Sequence, residues 1–91
     1  MNADQIHNIA VAEFQLDPRP RSDGRSYWIP RTPTSNATRI LRVSHDHSGA
    51  VRDVKLAVSS LAAGQNVFLT RPLTEEKLRD AIAIELSAAR G

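Results

Sequence analysis

The sequence predicts a small α/β domain with a mainly parallel sheet, and three observations carry that expectation. Residues 53–73, DVKLAVSSLAAGQNVFLTRPL, contain Val54, Val58, Leu61 and Ala62 at helical spacing, so a helix there has one apolar face. Gly64 stands where such a helix should stop, and Val67, Phe68 and Leu69 make a short apolar run ended by Arg71-Pro72. Two further apolar runs, IAVAEFQL at 9–16 and RILRV at 39–43, have strand length. Helix, glycine, buried strand and proline in that order make half of a parallel α/β unit.

Composition bounds the rest. Ninety-one residues make one domain with one modest core. Hydrophobic residues are 41% of the chain and aromatics only 4%, so that core must be mostly Val, Leu, Ile and Ala. The absence of cysteine excludes disulfides and thiolate zinc sites and suits a cytoplasmic protein. The first twenty residues lack the basic start and apolar block of a signal peptide, and no run approaches transmembrane length. The formal charge of +2 is unevenly spread. Arg19, Arg21, Arg25, Arg31, Arg39 and Arg42 face only Asp17 and Asp23 between 17 and 42, a segment suited to phosphates, to an acidic partner or simply to water.

Taken in order, 9–16 reads as a strand and 17–24, DPRPRSDG, as a turn, because two prolines fix φ and Asp23-Gly24 is strong turn chemistry. Residues 24–38 make a poor helix, interrupted by Pro30 and Pro33, with at most one turn over 25–29. Tyr27 and Trp28, the only Tyr and Trp, lie beside arginines. They can serve as a stacking surface for nucleic acid or as a lid over the core. A strand follows at 39–43, then a helix at 51–63, a strand at 67–69 and a helix at 74–88. Thr74 suits the N-cap of the last helix, Glu75 and Glu76 its positive end, and Leu78, Ile82 and Leu86 its buried face.

The pattern DVxxAVxxxxAGxxxFLT, followed by a basic residue and proline, resembles the end of a response-regulator receiver domain of the LuxR/NarL type. The resemblance implies a partial flavodoxin-like, three-layer fold over 9–88, a single receiver-like domain lacking the first strand and helix. The acidic pair that holds magnesium in receivers is missing with them. An apolar strand ending in Leu16-Asp17, then proline and Asp23-Gly24, resembles the phosphoacceptor loop and puts Asp17 at the phosphoacceptor position. Ser44 and Phe68 then fall at the switch positions, Arg71 replaces the lysine that contacts the phosphoryl group, and the Arg71-Pro72 bond should be cis. Asp17, Ser44 and Arg71 should cluster at the C-terminal ends of the strands.

The HDHSGAVR stretch from His45 also resembles the His-Asp-His motif of endonuclease VII-type nucleases. The acidic residue before the first histidine and the zinc cysteines of that family are absent, so a loop with Asp46 or Ser48 near a helix N-cap is the expectation.

Two functional expectations follow, neither enzymatic and neither needing a cofactor, a metal or a membrane. The first is a receiver-like signalling module working through protein partners, weakly phosphorylated if at all, and a homodimer because a missing first strand leaves an open sheet edge. The second is a small basic nucleic-acid-binding protein that uses Arg19, Arg21, Arg25, Tyr27 and Trp28.

Overall fold

Two-residue alternation organises the middle of the chain. The computed structural model describes residues 1–30, 37–60 and 63–89. Five strands, β1 (Asp17–Arg21), β2 (Gly24–Trp28), β3 (Ala37–His45), β4 (Val51–Ser60) and β5 (Gly64–Phe68), form one sheet in sequence order. Every neighbouring pair is antiparallel. Helix α1 (Ala3–Asn8), prolonged by a π-helical turn over Ile9–Glu13, precedes the sheet, and α2 (Glu75–Ala89) follows it. Arg31, Pro33, Leu61, Ala62 and the Arg90-Gly91 end lie outside the described residues.

The expected flavodoxin-like, mainly parallel sheet is thereby overturned: the chain is an antiparallel meander with its helices on one side, two layers rather than three. The decisive difference is β4. A helix over 51–63 was to supply the crossover that parallel strands require, but those residues pair with β3 on one side and β5 on the other. Val54 and Leu56 face the core while Asp53 is exposed and Lys55 half-buried, which is a period of two. Val54 and Val58 satisfy both periods, and β-branched Val51, Val54 and Val58 suit the pleated surface.

Three further segments differ from expectation. Residues 9–13 are a π-helical turn and 14–16 lead out of it, so none of 9–16 is strand. Ala10, Ala12 and Glu13 favour helix, and Ile6, Ile9 and Ala10 are buried. Residues 17–24, expected as a loop, form β1 and a two-residue turn at Ser22-Asp23, and the weak helix expected after Gly24 is β2. The apolar run at 67–69 lies not in a buried parallel strand but at the end of β5, an antiparallel edge strand exposed along its length.

Both helices pack on the same sheet face. Tyr27, Leu41, Val43, Val54 and Leu56 meet Ile6, Ile9 and Ala10 of the N-terminal helix and Leu78, Ile82 and Ala89 of α2. Each fully buried Leu or Ile contributes roughly 1.5–3 kcal/mol. The N-terminus is set by a capping box: Asn2 Oδ1 accepts from Gln5 N and Gln5 Oε1 accepts from Asn2 N, both at 2.9 Å. Ala3 N donates to Gly49 O at 2.9 Å, tying this end to the β3–β4 turn. Helix α2 starts as its sequence predicts, with Lys77 N donating to Thr74 Oγ1 at 3.2 Å. Two ion pairs anchor it, Arg39 to Glu85 at 3.1 Å and Arg79 to Glu13 at 2.9 Å.

Two backbone features shape the sheet. Strand β1 is an edge carrying Pro18 and Pro20, tolerated where an N–H would otherwise point away from the sheet. Gly24 opens β2 so close to β3 that an added Cβ would stand 1.9 Å from the Val43 carbonyl oxygen. Among the described residues no helix is long and apolar enough to cross a membrane.

Candidate nucleic-acid interface

Alternation that sends Leu41 and Val43 inward sends Ile40, Arg42 and Ser44 outward. The strand register joins these outward positions into rows across the sheet. One row runs Arg19, Ser26, Arg42, Lys55, Phe68. The next runs Asp17, Trp28, Ile40, Ala57, Asn66. A third runs Arg21, Gly24, Ser44, Asp53. The first row crosses all five strands, a span of roughly 19 Å at the usual strand spacing. Among the described residues neither helix covers this face, whose cations outnumber its carboxylates, Asp17 and Asp53.

Cations and rings interleave here. The Arg19 guanidinium stacks on Trp28 at 4.1 Å from the ring centroid, and Lys55 Nζ lies 5.6 Å from the ring of Phe68. Phe68 is 57% exposed, an exposure that a side chain serving only the core would not have. Arg19 also pairs with Asp17 at 3.0 Å, a mutual restraint that keeps its guanidinium over the indole. Among the described residues no carboxylate stands within ion-pair distance of Arg42 or Lys55, so both charges remain available to a ligand.

The expected site residues separate into those this face collects and those it does not. Arg19 and Trp28 lie on it, and so does Phe68, which the receiver resemblance made a switch. Tyr27 does not. It is fully buried, shares a 3.0 Å hydrogen bond with His7 Nδ1, and burial pushes its phenol up, only partly offset by Arg25. Arg25 points to the helix side and pairs with Asp4 at 3.6 Å, and Arg21 pairs with Asp23 at 3.4 Å. The receiver-like cluster does not assemble. Asp17 and Ser44 lie two strands apart and two register rows apart, roughly 13 Å along the strands. Ser44 Oγ donates to Asp23 Oδ2 at 3.5 Å, and Arg71, beyond β5, donates to the Arg52 carbonyl. The Arg71-Pro72 peptide is cis.

Sequence reasoning missed Lys55 and underused Arg42. Both were legible in principle: Leu41-Arg42-Val43 and Val54-Lys55-Leu56 each place one cation between two apolar residues. The expected helix over 51–63 hid the second triplet. Of the His45-Asp46-His47 stretch, His45 ends β3 and Asp46 and His47 open the β3–β4 turn, with Asp46 accepting from Ser48 N, Ser48 Oγ and Ala50 N rather than capping a helix. Among the described residues no group of three or more His, Asp or Glu could hold a metal. No protein-family model, curated protein or solved structure matches the chain.

Proposed function

We propose that the chain is a non-enzymatic module that binds single-stranded nucleic acid on the open face of its sheet. The observation that carries this reading is the row Arg19, Ser26, Arg42, Lys55, Phe68, with Trp28 beside it under Arg19. Phosphates take the cationic groups of the row, and unstacked bases take the face of Phe68 and the outer plane of the Arg19 guanidinium that already covers Trp28, both of which tolerate any base. A duplex would offer its phosphates but not its base faces, which is why a single strand fits better. The first expectation, a receiver-like module, loses the parallel sheet on which its signalling surface depends.

Fluorescence anisotropy of a labelled oligothymidine or oligouridine tests the reading. Affinity should fall with salt at a log–log slope near −0.7 for each phosphate contacted, about −2 for three cations. Trp28 emission should change on binding. A probe that stays free at about 100 μM protein and 50 mM salt, where nonspecific binding already operates, would refute it.

A further inference from the structure

Among the described residues β5 has a strand on one side only. The ladder fixes which of its main-chain groups face the empty side. Leu69 N donates to Val54 O at 2.9 Å and Ser60 N to Ala63 O at 2.8 Å, so Leu69 and Ala63 bond toward β4. Antiparallel neighbours alternate between bonded and unbonded pairs. With Leu56 opposite Val67 and Val58 opposite Gln65, those two residues of β5 also bond toward β4. Gly64, Asn66 and Phe68 therefore direct their N–H and C=O groups at the free edge. No side chain of β5 is charged, so none repels an incoming strand.

Helix α2 follows the same edge on the covered face. Glu85 is bonded to Arg39, which stands in register with Val58 and Gln65. Lys77 Nζ donates to the Pro72 carbonyl at 2.9 Å, beyond the other end of the strand. The helix thus runs back along β5 and brings Ile84 close to the level of Asn66. A groove of about 430 Å³ lies between the two elements, and its apolar wall includes Leu56, Val67 and Ile84. Val67 is 49% exposed and Ile84 65%. Of the charges in the groove, Glu85 is taken by Arg39 and Lys77 by the carbonyls of Thr70 and Pro72. Asp80 is exposed and lies one helical turn before Ile84, about 6 Å along the axis.

We propose that β5 pairs with β5 of a second copy of the chain, antiparallel and about a twofold axis at Asn66. This register sets Asn66 against the partner's Asn66 and Phe68 against the partner's Gly64. All three outward residues then exchange main-chain bonds, about six altogether. A twofold at Val67 or Gln65 would engage only two of the three within β5. A second copy fits this edge better than an unrelated strand does. The partner's Gly64 has no side chain to cover the Phe68 ring, which stays open on the uncovered face. On the covered face the axis passes near Ile84, so Val67 and Ile84 meet the same pair of the partner subunit and leave water together. An unrelated strand would bring the main-chain bonds without the second Ile84. The twofold also keeps like charges apart: each Asp80 is about 6 Å from the level of the axis, on opposite sides, so the two stand roughly 12 Å apart, beyond the screening length of about 8 Å. The two open faces become one continuous sheet. A nucleic-acid strand would then run from one cationic row to the other, and that part alone rests on the reading above.

The test is sedimentation of the full chain from about 1 to 100 μM, where a monomer–dimer equilibrium is expected. Asn66→Pro removes only an outward N–H, a place where an edge strand tolerates proline. It should leave the melting temperature nearly unchanged and raise the dimer dissociation constant about tenfold or more. The chain has no cysteine, so a single introduced thiol reports the register. Asn66→Cys should oxidise to a covalent dimer, because the Cα atoms of a bonded pair stand about 5.5 Å apart. Phe68→Cys should not, because Phe68 faces the partner's Gly64 and two thiols at 68 stand roughly 13 Å apart along the strands. If Asn66→Pro fails to fold, the cross-linking pair decides. A monomer over the whole range, a dimer untouched by Asn66→Pro, or cross-linking at 68 in preference to 66 overturns the pairing. Oligonucleotide binding forms the second arm. If the dimer forms and no oligonucleotide binds, the pairing stands and the sheet-face reading falls. If oligonucleotides bind a chain that stays monomeric, the sheet-face reading stands and the pairing falls.

Discussion

Leu41 and Arg42 are neighbours in the chain, yet Leu41 has no exposed surface while Arg42 lies among the cations of the open face. The same division repeats at Val54 and Lys55, where the valine is 2% exposed and the lysine reaches toward Phe68. One face is fastened by two helices, and the other is covered by no helix among the described residues, although Ser26 and Ile40 on it are buried at 6% and 8% exposed. The difference teaches that core residues and the residues of the proposed binding face are interleaved one by one along the strands rather than placed in separate regions. Changing one face should leave the other intact.

The largest effect that would break this division is on the covered face. Leu41→Ala removes a fully buried side chain facing Tyr27 and Leu56 across the register, and should cost about 2–5 kcal/mol in chemical denaturation. In the fraction that stays folded, oligonucleotide affinity should not change. A large affinity loss without loss of stability would mean that the two faces are coupled. Phe68→Ala should do the reverse, costing about 1–3 kcal/mol of binding as one stacked base is lost. Its melting temperature should hardly move, because the ring is 57% exposed. Arg42→Gln comes next, with stability within about 0.5 kcal/mol of the parent and the salt slope of binding reduced in magnitude by roughly 0.7.

The smallest effect is acid sensitivity, and it belongs to neither face. Glu13 is held below its ordinary range by the hydrogen bond from Arg79, and Asp46 by those from Ser48 and Ala50. Carboxyls depressed in the folded state stabilise it above the ordinary carboxylate range. That contribution is lost as pH falls through the folded values. Thermal midpoints should therefore be flat from neutral pH to about 5 and fall below about 4. Glu13→Gln and Asp46→Asn should each flatten the fall.

Helix α2 was legible in the sequence because cap, charge and period agreed: Thr74, then Glu75 and Glu76, then Leu78 and Ile82. Strand β3 was legible from RILRV. Strand β4 was not, because residues four apart satisfy both a helical and an alternating pattern. Val54 and Val58 could not decide between the two, and Leu61 with Ala62 tilted the reading to helix. Strand β1 was hidden by its prolines, which argue against a strand anywhere but at a sheet edge. Of the interface, Arg19 and Trp28 were legible as cation and aromatic. Tyr27 was indistinguishable from Trp28 until the register placed them on opposite faces.

Pro18 and Pro20 have a consequence beyond hiding β1. They deny that edge two backbone donors, and Asp17, Arg19 and Arg21 add charge, so a further strand gains little by pairing there. Strand β5 carries neither proline nor charge, and Val67 and Ile84 beside it are 49% and 65% exposed. Any pairing between copies should thus use the β5 side of the sheet. Among the described residues β5 is the one unblocked edge, so two chains meeting β5 to β5 about a twofold axis would consume it, and sedimentation should find nothing larger than a dimer. On that expectation the asymmetry would act as a chain terminator: a sheet extended once at β5 would meet only proline-bearing β1 edges afterwards, so an exposed strand that could seed fibres would end in a closed pair.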